Sequence, residues 1–264
     1  MGMKIDRDIE PGEVSVIDGR DIRKLSPLKG KYGQRLCNFL FGYWEYDDVV
    51  VDGIPIIIPK QKIARWLAQK DIDEGYADKI EIVLPIPGSG IPYAEEYAAA
   101  TGKPLIFGLE KYQFAHRSYP KGTLKERQDE ARRKLFVLPS KVKGKAIVVI
   151  DDSIRKGTQI LEGPLRMLKE AGARVIYLRL GSPRNYHYCR ADYPPGYSDA
   201  DLLANRFPDD EGMASHLGIE HVRFIGMEPY LNFIVEGSKL RVEDLCKGCH
   251  DRKDVSLAFD FLEL

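Results

Sequence analysis

Nothing in this chain is long and apolar enough to cross a membrane: its longest apolar stretches, such as Val148-Val149-Ile150, are strand-sized. The first residues, Met1-Gly2-Met3-Lys4-Ile5-Asp6, lack the apolar core of a signal peptide. Both absences point to a cytoplasmic protein. An excess of one charge is missing too, since 40 Lys and Arg balance 40 Asp and Glu. The whole chain therefore carries no electrostatic signature of a nucleic-acid or membrane binder, although a local basic patch is compatible with neutrality. Internal repeats and low-complexity segments are also absent. Cysteine is scarce, at four residues, and a reducing cytosol disfavours structural disulfides among them. Cys37, Cys189, Cys246 and Cys249 thus need another role or are inert.

The 264 residues, 44% of them hydrophobic, suffice for one large domain or for a domain with an appended lobe. The middle of the chain alternates strand and helix signals. Residues 79–85 read as a strand, followed by a turn at Gly88-Ser89-Gly90 and a helix through residues 94–100 that stops near Gly102. Residues 146–150 form a continuous apolar run, as expected of a buried parallel strand. Leu161, Leu165 and Leu168 share one helical face, Gly172 ends that helix, and residues 175–180 are the next strand. This order predicts an α/β fold: a central, mostly parallel sheet with flanking helices. The core is expected over residues 55–185. Residues 1–54 and 186–264 are less periodic and are expected to form a smaller accessory lobe. Pro164 either kinks the helix after Gly157 or opens a new one.

The most specific motif runs from Val148 to Thr158: an apolar strand, Asp151-Asp152, a short polar loop, then Gly157-Thr158 opening a helix. In an open parallel sheet, ligands bind beyond the carboxyl ends of the strands. The helix offers free N–H groups and a positive dipole end to a phosphate. Gly157 allows close backbone approach, and Ser153 and Thr158 add hydroxyl donors. Two carboxylates repel phosphate but accept hydrogen bonds from a ribose diol. Together these features suit a sugar phosphate. The plainer alternative is a strand-to-helix turn in which Asp and Ser only cap the helix.

Two other regions stand out. Residues 112–133 carry Arg117, Lys121, Lys125, Arg127, Arg132 and Arg133 with few large apolar groups, and read as a mobile basic loop or as a solvated surface. Cys246-Lys247-Gly248-Cys249 is a C-x-x-C pair, a common start for an iron–sulfur or zinc site, with Cys37 and Cys189 completing four ligands. The same stretch with His250 spells the c-type haem attachment pattern. That reading lacks an export signal and leaves Cys37 and Cys189 without a role.

The Asp151-Asp152-Ser153-Ile154 to Gly157-Thr158 segment resembles the 5-phosphoribosyl 1-pyrophosphate (PRPP) signature of type I phosphoribosyltransferases. It is similar above all to the amidophosphoribosyltransferase family of purine synthesis. Other segments follow that family in order: Glu10-Pro11-Gly12-Glu13, Leu36-Cys37-Asn38-Phe39, Pro85-Ile86-Pro87-Gly88-Ser89-Gly90, Gly108-Leu109-Glu110-Lys111, His116-Arg117-Ser118, residues 168–173 and Ser182-Pro183. The resemblance spans roughly residues 10–250. Two positions depart from it. Gly88 stands where the family's pyrophosphate loop usually has Asp, and Lys111-Tyr112-Gln113-Phe114 replaces Lys-Asn-Arg-Tyr in its flexible loop.

The resemblance implies a type I phosphoribosyltransferase fold and a transferase that uses PRPP with Mg²⁺. Asp151 and Asp152 would hold the ribose hydroxyls. Ser153, Ile154, Arg155, Lys156, Gly157 and Thr158 would hold the 5-phosphate, and Gly88, Ser89 and Gly90 would meet the pyrophosphate. Lys111, Arg117, Arg132 and Lys134 would close over the site and stabilise the departing charge. Cys37, Cys189, Cys246 and Cys249 match the ligands of a 4Fe–4S cluster in one branch of the family, where its role is expected to be structural. The family's N-terminal glutaminase domain has no counterpart here, and the five histidines show no nucleophile-activating pattern with a cysteine. The expected acceptor is therefore ammonia, free or supplied by a separate glutaminase subunit. Transfer to another amine or a nucleobase-like acceptor, or a PRPP sensor without turnover, are the competing expectations. A homo-oligomer is compatible with all three.

Overall fold

The computed structural model describes residues 9, 13–19, 21–26, 35–43, 46–111, 135–189 and 198–251. Its centre is a parallel sheet of four strands: β1 (Ile82–Pro85), β2 (Ala146–Asp151), β3 (Val175–Leu180) and β4 (His221–Phe224). They lie in the order β4-β3-β2-β1. Leu105 makes a parallel bridge to Val83. The Val83 amide donates to Pro104, and Ile106 donates back to Val83, on the β1 edge that β2 does not use.

The chain therefore leaves β1 to one side, reaches Leu105, and returns to β2 on the other side. This reversal makes the β1–β2 boundary a topological switch point. The divergence of the two connections opens a crevice beyond the carboxyl ends of the strands.

Side-chain alternation along the strands builds a core on each face of the sheet. Val83, Val148, Ile150 and Tyr177 meet α1 (Ile57–Asp73) and α2 (Ile91–Thr101), which contribute Ile63, Leu67, Tyr93 and Tyr97. Phe41 from the N-terminal segment and Tyr230, Leu231 and Ile234 from the C-terminal region join this same core. On the other face, Ile147, Val149, Leu178 and Val222 meet Ile160, Leu165, Leu168, Met213 and Leu217.

Helix α3 follows β2. It begins as Thr158–Ile160, widens into a π-helical turn over Leu161–Leu165, and continues as Arg166–Glu170. The π turn resolves the Pro164 question: the helix neither stops nor restarts, because a wider turn accommodates the missing donor. Pro164 and Leu165 are buried there. At the first predicted strand the boundary moves. Residues Tyr76–Lys79 form a short helix, and the strand starts at Ile82.

A buried charge network ties α1 to the sheet. The Asp71 carboxylate accepts Arg179 Nε at 2.6 Å and Arg223 Nε at 3.2 Å, and the Tyr97 hydroxyl also donates to it. Both Asp71 and Arg179 side chains are wholly buried. Glu74 takes a bidentate pair from Arg223 at 3.0 and 2.6 Å. No helix among the described residues is long and apolar enough to cross a membrane.

Candidate active site

The two loops singled out in the sequence meet at the switch point. The Ile86 amide donates to the Ile150 carbonyl at 2.9 Å, so the chain after β1 is fastened to the end of β2. Ser89 Oγ then donates to Asp151 Oδ1 at 2.6 Å. The Asp152 amide shares the same oxygen at 2.9 Å, and Ser153 Oγ donates to Asp152 Oδ2 at 2.6 Å. Asp152 is buried, while Asp151 is partly open.

Desolvation and then the Asp152 charge push the Asp151 carboxyl well above its usual range, against the opposing hydrogen bond from Ser89. Desolvation also raises Asp152, with the Ser153 bond working the other way. Two carboxyls this close and this dry resist ionising together. Ligand hydroxyls or a cation would relieve that cost.

Glycines set the shape of both loops. Gly90 has no space for a side chain: an added Cβ would lie 2.1 Å from the Ile150 carbonyl oxygen. The contact is with backbone, so it cannot be relieved by a rotamer change. Gly90→Ala is expected to cost about 3 kcal/mol, which urea denaturation measures. Gly157 has φ +79° and lies against Leu203. This left-handed turn starts α3 and excludes a bulkier residue.

Gly88 has φ +97° with open space around it. At this position Gly relaxes the backbone where a side chain, Asp included, would be strained.

The remaining predicted contacts divide. Ile154 turns inward and belongs to the second core; its side chain supports the loop from below. Arg155 and Lys156 meet different partners. The Arg155 guanidinium stands 5.4 Å from the Phe39 ring centre. Lys156 Nζ is 3.0 Å from Asp201 Oδ2. Thr158 is exposed at the helix start. Lys111 ends the strand Leu109–Lys111, which pairs antiparallel with Leu135–Val137. Arg117, Arg132, Lys134 and the rest of the basic loop lie outside the described residues, as does Glu10-Pro11-Gly12.

The cysteines come from three distant segments. Leu36–Cys37 and Leu245–Cys246 form a short parallel ladder with Cys37 opposite Cys246. Asn38 Nδ2 donates to the Cys246 carbonyl at 2.7 Å. The amides of Tyr186 and His187 reach the Cys249 carbonyl at 2.8 and 3.2 Å, which brings the Cys189 segment alongside.

Each of Cys37, Cys246 and Cys249 has its thiol pushed up, first by burial and then in part by charge on other members of the set. The four thiols thus lie within electrostatic reach of one another. Among the described residues, no three His, Cys, Asp or Glu side chains stand close enough to share one metal ion. Buried His250, beside Cys249, stacks on Phe39 with ring centres 5.0 Å apart.

Sequence reasoning missed the Asp71 network and the direct Ser89–Asp151 bond. The first joins residues with no local pattern. The second was within reach, because both loops were identified, but only the strand order makes them neighbours.

No protein-family model matches the chain. It is 30% identical over 242 residues to the amidophosphoribosyltransferase of Rhizobium etli, covering 86% of this chain and 45% of that protein. It is 31% identical over 260 residues to the amidophosphoribosyltransferase of Mycobacterium tuberculosis, covering 96% and 46%. The solved glutamine PRPP amidotransferase of Bacillus subtilis, complexed with ADP and GMP, superposes with a TM-score of 0.76 at 26% identity, over 94% of this chain and 53% of that one. The chain thus spans about half the length of the relatives it matches. Over that span the sequence and the fold agree: this chain is a homologue of the amidophosphoribosyltransferases and has the type I phosphoribosyltransferase fold.

Proposed function

We propose that the chain transfers the phosphoribosyl group of PRPP to ammonia, with Mg²⁺, forming 5-phosphoribosylamine and releasing pyrophosphate. The observation that carries this reading is the Asp151–Asp152 pair, raised by burial, at the β1–β2 switch point and bonded to the Ser89 loop. A ribose diol donates hydrogen bonds to both carboxylates and offsets their desolvation. The 153–158 loop leads into α3, whose free amides and dipole end suit the 5-phosphate. The Gly88-Ser89-Gly90 turn offers backbone groups to the pyrophosphate.

Mg²⁺ would neutralise pyrophosphate oxygens and keep mostly water and substrate ligands, as this ion prefers. The turn at Gly88 is open, and the Asp151–Asp152 pair would supply carboxylate oxygens to the ion's water shell. The C1–O bond to pyrophosphate breaks as the sugar gains oxocarbenium character. The protein contributes position and fixed charge rather than a covalent step. Lys111, Arg117, Arg132 and Lys134 are assigned to the leaving pyrophosphate.

For the cysteine site we favour a 4Fe–4S cluster. The three cysteine-bearing segments meet, with Cys37 opposite Cys246 and the Tyr186 and His187 amides on the Cys249 carbonyl, and a cluster takes one thiolate per iron. Around a single zinc ion the sulfurs would approach to about 3.8 Å. Cys37, Cys189, Cys246 and Cys249 would hold the cluster, and its role would be structural: it would fasten both ends of the chain to the end of the sheet.

The acceptor is tested by pyrophosphate release from PRPP and Mg²⁺ on anaerobically purified protein, with and without ammonium. Release that depends on ammonium is expected. Release only with another amine or a nucleobase would replace the acceptor. PRPP binding with no release under any acceptor would make the chain a sensor.

A further inference from the structure

The end of β2, which carries the carboxylate pair, is held from both sides. On one side the turn from β1 into α2 presses on it: the Ile86 amide donates to the Ile150 carbonyl, and Gly90 has no space there for a side chain. On the other side the chain leaving β3 is bonded to it, the Gly181 amide donating to the Asp151 carbonyl at 3.0 Å. One side chain joins the two sides. Tyr93 lies in the first turn of α2, shortly after Gly90. Its ring rests on Gly181, where an added Cβ would lie 2.6 Å from the ring's Cζ. Tyr93 is wholly buried and belongs to the same core as Ile150.

The ring is fixed at its far end as well. Its hydroxyl donates to the Gly42 carbonyl at 3.1 Å. Gly42 is itself hemmed in: a Cβ there would stand 3.0 Å from the Tyr230 hydroxyl, which donates to the Asn38 carbonyl at 3.1 Å. Burial raises the Tyr93 phenol well above its usual range, and Tyr230, Asp152, Asp47 and Asp151 add to the shift. The carboxylate pair is thus within electrostatic reach of this ring.

We propose that Tyr93 is a positioning residue for the Asp151–Asp152 pair: its ring braces the turn before α2 against the exit of β3, and so sets where the end of β2 presents the two carboxylates to the ribose of PRPP. The inference rests on the function proposed above and deepens it. Tyr93 acts through the Gly181 and Asp151 backbone, not on the substrate. A misplacement of about 1 Å far from the chemistry can lower a rate by about 10²-fold. The 5-phosphate and the pyrophosphate are held by other loops, so PRPP affinity should change far less than kcat.

The test is a double-mutant cycle on the whole chain. Ammonium-dependent pyrophosphate release at saturating PRPP and Mg²⁺ gives kcat, calorimetry gives the PRPP Kd, and urea denaturation gives the folded fraction, to which kcat is normalised. Tyr93→Leu takes the ring off Gly181; it should lower kcat by about 10²-fold and change the PRPP Kd by less than about threefold. Tyr93→Phe keeps the ring, loses only the bond to Gly42, and should retain most of kcat. Gly181→Ala disturbs the same contact from the other side, because its Cβ must displace the ring. Both substitutions act through one contact, so their losses of kcat should combine to much less than their product.

A wild-type kcat per folded molecule in Tyr93→Leu, whatever its stability, would make Tyr93 a core residue only and overturn the inference. Equal losses in Tyr93→Phe and Tyr93→Leu would overturn the role of the ring, and fully multiplicative losses would overturn the route through Gly181. If Tyr93→Leu does not fold, Gly181→Ala decides alone: a wild-type kcat there refutes the positioning role, and a fall in kcat at nearly constant Kd supports it. A wild-type chain that releases no pyrophosphate with any acceptor would overturn the function proposed above and this inference with it. Turnover that ignores both substitutions would overturn this inference alone.

Discussion

Replacing both carboxylates at the β1–β2 switch point, Asp151→Asn with Asp152→Asn, should abolish most PRPP turnover and at the same time make the protein more stable at neutral pH. The two effects have one cause. Burial and mutual repulsion raise both carboxyls above their ordinary range. A carboxyl raised in the folded state favours folding fully below its unfolded pKa. That contribution is lost as pH rises from the unfolded toward the folded value, so the buried pair weakens the fold at neutral pH. Asparagine keeps the shape and an acceptor but removes the charge. Each kcal/mol gained would raise the melting temperature by about 2–4 °C in a chain of this size.

The wild-type chain should also lose stability as pH rises from the ordinary carboxyl range toward neutrality, with the double variant showing a flatter dependence. Turnover should fall by about 10³-fold or more, because the ribose loses the charged acceptors that orient C1. Iron content should be unchanged. A double variant with full turnover would remove the proposed site. One that is inactive and less stable than wild type would mean that the pair serves the fold, not the ligand.

Asp71→Ala should have the largest purely structural effect. Asp71 is the shared acceptor of Arg179, Arg223 and the Tyr97 hydroxyl. Removing it leaves Arg179, which is wholly buried, without its carboxylate. Arg179 Nη2 already has no hydrogen-bond partner among the described residues, and the groups that Nη1 keeps, the Leu178 and His221 carbonyls at 2.9 and 3.3 Å, carry no counter-charge. Uncompensated buried charge costs about 3–5 kcal/mol. His221 lies 3.2 Å from Arg179 Nη1, and burial and that charge bring its pKa down to about 4, so at pH 7 it is a neutral neighbour and cannot replace the lost carboxylate. Urea denaturation at pH 7 measures the loss. A change below about 1 kcal/mol, the level of an exposed ion pair, would show that the network is dispensable.

How much of this was legible in the sequence depends on the distance over which each signal acts. The Val148–Thr158 motif is contiguous, and its strand, loop and helix appear where its pattern puts them. The C-x-x-C pair is legible locally, whereas the placing of Cys37 opposite Cys246 is not, since that ladder is built from opposite ends of the chain. Pro164 could not be decided from local rules, because the π turn that absorbs it depends on packing beneath α3. Lys79 leads into the run Ile80-Glu81-Ile82-Val83-Leu84, which reads as strand, yet Gly75 turns the chain into a short helix there. The Asp71–Arg179 pair joins residues 108 apart, and neither position carries a motif. Local chemistry is written locally, while the charge network appears only once the strand order is known.

The central claim is chemical: the bond between C1 and pyrophosphate is the one that breaks. Phosphorus NMR of PRPP incubated with the protein, Mg²⁺ and ammonium tests it most directly. Free pyrophosphate and a sugar 5-phosphate monoester should grow equally as the PRPP signals decline, with the decline suppressed in Asp151→Asn/Asp152→Asn. PRPP signals that persist under these conditions, or decay to inorganic phosphate alone, would contradict it.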